Sequence, residues 1–228
     1  VRDGYVITSG QAVGDADEVL VTVGDATGLG RVVGRDEATD IAVVRVDDID
    51  TEEIDAPPLV ADGMVESGDV ITITLEDGDE RHQTVVEPMS ATARKDGAPI
   101  VGVVELDGRI GQIPPGSPAF DADGAVVGVA TATADSAPAA LVSIDLARAV
   151  ADDIIAGGAA DHPWLGVTAR TNHEAPTGSL ITAVTDDGPA AKGGVEVGDI
   201  VTAVGPNPVD SMEAMVASLR TYCLLYTS

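Results

Sequence analysis

From Val1 to about Val129 the chain alternates short apolar runs with breaks at Gly, Asp and Pro. Val19–Val23, Gly30–Gly34, Ile41–Val46, Val70–Leu75, Ile100–Leu106 and Ala125–Val129 are rich in β-branched residues and bounded by turn residues, which predicts strands. Val1–Thr8 reads as a turn running into another strand. Short strands in series, with no helical periodicity between them, indicate a barrel or sandwich. The pattern changes at Ser143. There Leu146, Val150 and Ile154 share one face of a predicted helix, with Asp145 placed to cap it and Gly157-Gly158 to stop it. Beyond Asp161-His-Pro the spacing predicts strands over Trp164–Ala169, Ser179–Val184 and Ile200–Val204. It also predicts a short helix near Ala190, a turn through Gly205–Pro208 and a helix from Ser211 to Arg220.

Composition narrows the partners. The chain has 228 residues, with 12 Lys+Arg against 39 Asp+Glu, a formal charge of −27. Such a field repels nucleic acid and anionic lipid headgroups, so both are excluded as main partners. No apolar run is long enough to span a bilayer, so direct membrane insertion of this segment is not expected. With one cysteine there is no disulfide framework and no multi-cysteine metal site. The acidic stretches Glu76–Glu80 and Asp121–Gly124 place glycine wrongly for a calcium loop and read as turns between strands. No metal and no cofactor is expected.

Four segments, in order, carry a resemblance: Asp3–Thr8, Val32–Val43, Asp123–Gly128 and His162–Val167. Together they resemble the HtrA/Deg family, trypsin-like serine proteases that carry a PDZ domain. The resemblance covers nearly the whole chain and is poor between about Leu59 and Ala98. It implies a mostly β fold: a trypsin-like double β-barrel, truncated at its N-terminus, followed by a C-terminally truncated α+β PDZ domain. The expected division is 1–142 for the protease-like domain, 143–161 for a linker helix and 162–222 for an incomplete PDZ domain. Residues 223–228, which hold the cysteine, are expected to be a non-native tail. Any targeting segment is expected upstream of Val1.

The chemistry that the resemblance implies needs a serine nucleophile, a histidine base and an aspartate to orient the imidazole. The histidine position in Thr8–Val13 is occupied by Gln11, while the aspartate is kept as Asp40. Aligning Asp107–Pro118 with the serine loop, anchored at Asp107, Ile110, Gly116 and Pro118, places Pro115 at the nucleophile. An amide takes no proton near neutral pH, and proline offers neither a nucleophile nor a backbone N–H. Ile113 stands where a glycine would give the second oxyanion donor, so the loop Ile113, Gly116, Ser117 is degenerate. Ser117 has no evident base, since His82, His162 and His173 all read as surface residues. Gln11 is expected to offer its side-chain amide to Asp40.

The PDZ part keeps more. Trp164-Leu165-Gly166-Val167 fits the family's aromatic-Leu-Gly-Val signature, whose amides would cradle a peptide carboxylate. Met212, Met215, Val216 and Leu219 recur at helical spacing and would form the facing wall. The alternative, that some of these apolar residues are simply core, stays open. The leading expectation is a catalytically inactive protease homologue that binds C-terminal or unfolded peptide segments in cell-envelope quality control. The resemblance implies a bacterial envelope or extracellular location. An active serine endopeptidase is the alternative, and a subunit that assembles with homologous proteases is a third.

Overall fold

In a computed structural model the described residues are all except 1–3, 24–25, 50–55, 60–64, 76–77, 94–98, 110–112, 133–136, 161, 163, 206, 213, 217 and 220–228. Ile110, one of the loop anchors, and the tail 223–228 therefore lie outside the described residues.

The first layer is an antiparallel sheet of β1 (Tyr5–Ser9), β2 (Glu18–Val23), β3 (Ala26–Asp36) and β4 (Ile41–Val46), in the order β1-β4-β3-β2. The one-turn helix α1 (Gly10–Val13) leaves β1 directly, with Ser9 as its N-cap. β4 is buried nearly throughout, which fits a run of apolar residues broken only at Arg45 and lying between two partner strands.

The second layer is a closed barrel. Its strands are β5 (Val70–Thr74), β6 (Glu80–Ala93), β7 (Pro99–Arg109), β8 (Pro118–Phe120), β9 (Val126–Thr131) and β10 (Pro138–Ser143), ordered β10-β7-β6-β5-β8-β9. The barrel is filled by Ile71, Ile73, Val85, Leu106, Val127 and Leu141, all almost fully buried. An interior of aliphatic side chains is the consequence of a chain with only five aromatic residues, one Trp, three Tyr and one Phe.

Helix α2 (Ile144–Gly157) follows β10 without a loop and lays Leu146, Val150 and Ile154 on Ile41 and Val43 of β4. Ser143, rather than Asp145, caps it: the Ser143 hydroxyl accepts the Leu146 N–H. The hydroxyl is geometrically placed for N3, while Asp145 falls inside the first turn and favours the helix dipole there. Gly158 ends the helix in the left-handed region at φ 80°. A Cβ on Gly34 of β3 would lie 2.6 Å from the Gly158 carbonyl oxygen and 2.7 Å from Ile154. Only glycine lets the helix end sit this close to the sheet.

The remaining part has a three-stranded sheet, β11 (Val167–Asn172), β12 (Gly178–Val184) and β13 (Ile200–Val201), in that order. It also has the short helix α3 (Pro189–Lys192), a hairpin of β14 (Ala203–Val204) and β15 (Asn207–Pro208), and helical residues at 212, 214–216 and 218–219. Ile181, Val209 and Met215 form its buried core, with Val167, Ala169 and Leu219 packed against them. The strand expected at Trp164 begins only at Val167, because Gly166 at φ 74° turns the chain first. The strand expected over Ile200–Val204 is divided at Thr202.

Candidate functional site

The corner where β1 enters α1 meets the turn after β3 and the end of β9, at the seam between sheet and barrel. Asp40 lies in this corner, 3% exposed, with φ 59°. Its carboxylate is fully engaged. Oδ2 accepts the Ser9 hydroxyl at 2.7 Å, the Thr131 hydroxyl at 2.7 Å and the Ala132 N–H at 3.2 Å. Oδ1 accepts the backbone N–H of Gln11 at 2.9 Å. The expected side-chain contact from Gln11 is replaced by this backbone bond, because the Gln11 amide instead donates to the Ala132 carbonyl at 3.5 Å. The Ser9 hydroxyl takes an Asp40 lone pair that an imidazole at position 11 would otherwise compete for. The position of Ser9, two residues before Gln11, is the sequence signal that could have revealed it.

The loop expected to carry the nucleophile position packs onto the same corner. Pro114, Pro115, Gly116 and Ser117 form a β-turn closed by the Ser117 N–H donating to the Pro114 carbonyl at 3.2 Å. Pro115 presets the first central position, and Gly116 at φ 91° supplies the second, as a type II turn requires. A Cβ on Gly116 would lie 2.4 Å from the Thr8 hydroxyl oxygen and 3.4 Å from the Ser9 nitrogen. Gly116 donates its own N–H to the Ala130 carbonyl at 2.8 Å. Ile113 is 8% exposed and its side chain belongs to the barrel core. From 114 to 117, then, two residues have no N–H and the other two have spent theirs.

No histidine serves this corner among the described residues. His82, expected in a loop, lies on β6 opposite Thr72, and its Nδ1 is 3.1 Å from the Thr72 hydroxyl. His173 is exposed between β11 and β12. His162, expected as a surface residue, is bound to a buried carboxylate: its Nε2 is 2.6 Å from Asp36 Oδ1. Asp36 also accepts the Thr39 N–H at 3.0 Å and the Thr39 hydroxyl. Burial pushes the Asp36 carboxyl up, but the His162 and Thr39 hydrogen bonds and the charge of His162 outweigh it and hold it below the ordinary carboxylate value.

At the other candidate site, the Leu165 carbonyl accepts the Ala190 N–H at 3.0 Å and the Gly166 carbonyl accepts the Thr185 N–H at 2.7 Å. Both carbonyls thus turn toward the α3 side, and the amides of Leu165 and Gly166 donate to no described group. Two adjacent amides with no described acceptor thus flank a left-handed glycine. Trp164 lies over it, 63% exposed, with its ring 3.2 Å from where a Gly166 Cβ would be. β11 runs from this point as the outer strand of its sheet. Of the expected wall residues, Met215 is 4% exposed and belongs to the core, Leu219 packs against that core, and Met212 and Val216 are half-buried. The Met212 N–H donates to the Thr171 hydroxyl at 3.1 Å, tying the start of the helical segment to the far end of β11.

Comparison with known proteins identifies the two parts of the chain. The family model of the trypsin-like peptidase domain matches residues 1–129, more than half of the chain, and that of the PDZ domain matches residues 180–221. A probable periplasmic serine endoprotease, DegP-like, from Pseudomonas fulva (strain 12-X) is 29% identical over 224 residues, covering 91% of this chain and 46% of the relative. A protein of the same description from Brucella suis biovar 1 (strain 1330) is 28% identical over 224 residues, covering 91% and 44%. The chain therefore spans less than half the length of these relatives. Among solved structures, the HtrA-type protease AlgW with decapeptide matches at a TM-score of 0.66 and 22% identity, over 96% of this chain and 72% of its own. The serine endoprotease from Yersinia pestis matches at 0.60 and 22%, over 95% and 75%.

Proposed function

The chain belongs to the HtrA/Deg family of trypsin-like, PDZ-bearing proteases, and on that premise we propose that it is a catalytically silent member whose working site is the PDZ groove. The observation that carries this reading is the turn 114–117, which presents no available N–H toward the place where an oxyanion would form. Removing one oxyanion donor costs roughly 10²–10³ in rate, and here the donor at Pro115 is lacking along with the nucleophile and the base. Asp40 remains because its carboxylate joins β1, α1 and the end of β9 through four hydrogen bonds, a structural use that does not depend on a histidine.

The groove supports a binding role. A peptide would add as a strand along β11, with its terminal carboxylate on the amides of Leu165, Gly166 and Val167 and its apolar side chains toward Met212 and Val216, with the core residue Met215 and Leu219 packed behind them. The expected division at 1–142, 143–161 and 162–222 belongs to this reading, since α2 and Gly158 separate the two sites. The names of the relatives, periplasmic serine endoproteases, support a cell-envelope location, and a part in protein quality control belongs to the same proposal. Assembly with homologous protease subunits is compatible with it. Casein hydrolysis beside an active homologue, with a serine-protease inhibitor as control, tests the catalytic half. No inhibitor-sensitive cleavage is expected; cleavage by the purified chain would overturn it.

A further inference from the structure

We propose that Arg170 selects an acidic side chain at the third position upstream of the last residue of a peptide bound along β11; the inference rests on the groove reading above. The parity of β11 can be read from its contacts. The Thr168 carbonyl accepts the Thr182 hydroxyl of β12 at 3.1 Å; beyond the register shift at Thr168/Ala169, Ile181 spends its N–H and carbonyl on Asp199 and Gly198, so Leu180 turns to β11 and its partner Arg170 turns its backbone groups toward β12. Val167, Ala169 and Thr171 then turn theirs to the open edge. Their side chains agree with this, because Val167 and Ala169 pack against the core and the Thr171 hydroxyl meets the start of the helical segment. Thr168 and Arg170 are exposed on the opposite face.

A carboxylate on the amides of 165–167 fixes the register. The last residue of an antiparallel peptide lies opposite Val167, and the residues one, two and three upstream lie opposite Thr168, Ala169 and Arg170. Because Arg170 spends its backbone groups on β12, its pair with the peptide is the non-hydrogen-bonded kind, in which opposed side chains stand closest. Arg170 makes no ion pair among the described residues. Its register partner on β12 is Leu180, and Thr168 and Asn172 stand two residues to either side on β11, all three uncharged. A guanidinium so placed matches a carboxylate in geometry as well as charge. The formal charge of −27 repels acidic peptides in general, so the preference belongs to this one position and not to acidity overall.

The test selects a library of random heptapeptides displayed with free C-termini on the whole chain and on its Arg170→Glu variant, each checked for an unchanged thermal melt. Asp and Glu are expected to be enriched three residues before the end with the native chain, and Lys and Arg there with the variant, the last-residue preference staying the same. For matched fluorescent peptides differing only as Glu or Lys at that position, the affinity ratio is expected to be about two- to fivefold and to invert in the variant. Identical enrichment from both proteins would overturn the role of Arg170 and leave the groove standing. Absence of any binder, or binders indifferent to C-terminal amidation, would overturn the groove and the selectivity with it.

Discussion

His162 and Asp36 meet at 2.6 Å across 126 residues of sequence, and the bond joins the segment that opens the PDZ cradle to the turn that ends in Asp40. His162 stands two residues before Trp164, and Asp36 anchors Thr39, the neighbour of Asp40. The hydrogen bond therefore ties the start of the PDZ part to the protease-like sheet.

The pair makes stability depend on pH with a defined sign. Asp36 is held below its ordinary value of 3.8, so its contribution is present above that value and is lost as pH falls through the lower folded value. Urea unfolding at neutral pH should show Asp36→Asn destabilised by about 1–3 kcal/mol. The difference from the native chain should shrink as pH drops below 3.8. A constant difference across that window would contradict the assigned role.

Asp40 should matter for folding whether or not any catalysis depends on it. Asp40→Ala leaves the Ser9 and Thr131 hydroxyls and two backbone amides without their buried charged acceptor. A loss of at least about 3 kcal/mol in chemical denaturation is expected. A loss below about 1 kcal/mol would mean that water replaces the carboxylate there.

Gly116→Ala is expected to cost about 2 kcal/mol, from the left-handed backbone and from the clash with the Thr8 hydroxyl. Adding Thr8→Ala removes the clash and not the backbone strain, so thermal melts of the double variant should recover only part of the loss.

Rebuilding two triad positions should not rebuild the enzyme. In Gln11→His with Pro115→Ser, Ile113 still points into the barrel core and Asp40 Oδ2 still holds Ser9 and Thr131. Peptide hydrolysis is expected to stay at least about 10²-fold below an active homologue. Full activity in this variant would show that the loop rearranges.

Trp164 is the single tryptophan, and it lies over Gly166, so intrinsic fluorescence reports the cradle directly. A carboxylate-terminated peptide that binds should shift the emission to the blue as the exposed ring is covered. The same peptide as a C-terminal amide should leave the spectrum unchanged.

Local pattern carried the central strands well. Ile41–Val46 is bounded in the structure as its apolar run is bounded in the sequence, since burial on both faces leaves no polar alternation to misread. β6 was illegible for the opposite reason. Its residues Glu80-Arg-His-Gln-Thr begin as a polar stretch, and the strand is held by pairing with β5 and β7 along an exposed face. β8, three residues long, exists only because the barrel closes through it. At the candidate site, the proposed losses at Gln11 and Pro115 rest on the residue types themselves, since each lacks the chemical group that the resemblance calls for at that position. The turn through Gly116, the Ser9 bond to Asp40 and the His162 pair depend on contacts between distant segments, and no local signal encodes those.

The most direct test is labelling of the purified chain with a serine-directed fluorophosphonate, read by intact mass beside an active homologue. No mass increase is expected on this chain under conditions that label the homologue stoichiometrically. A stoichiometric adduct on Ser117 or on any other serine would contradict catalytic silence and would mean that a nucleophile is activated elsewhere in the fold.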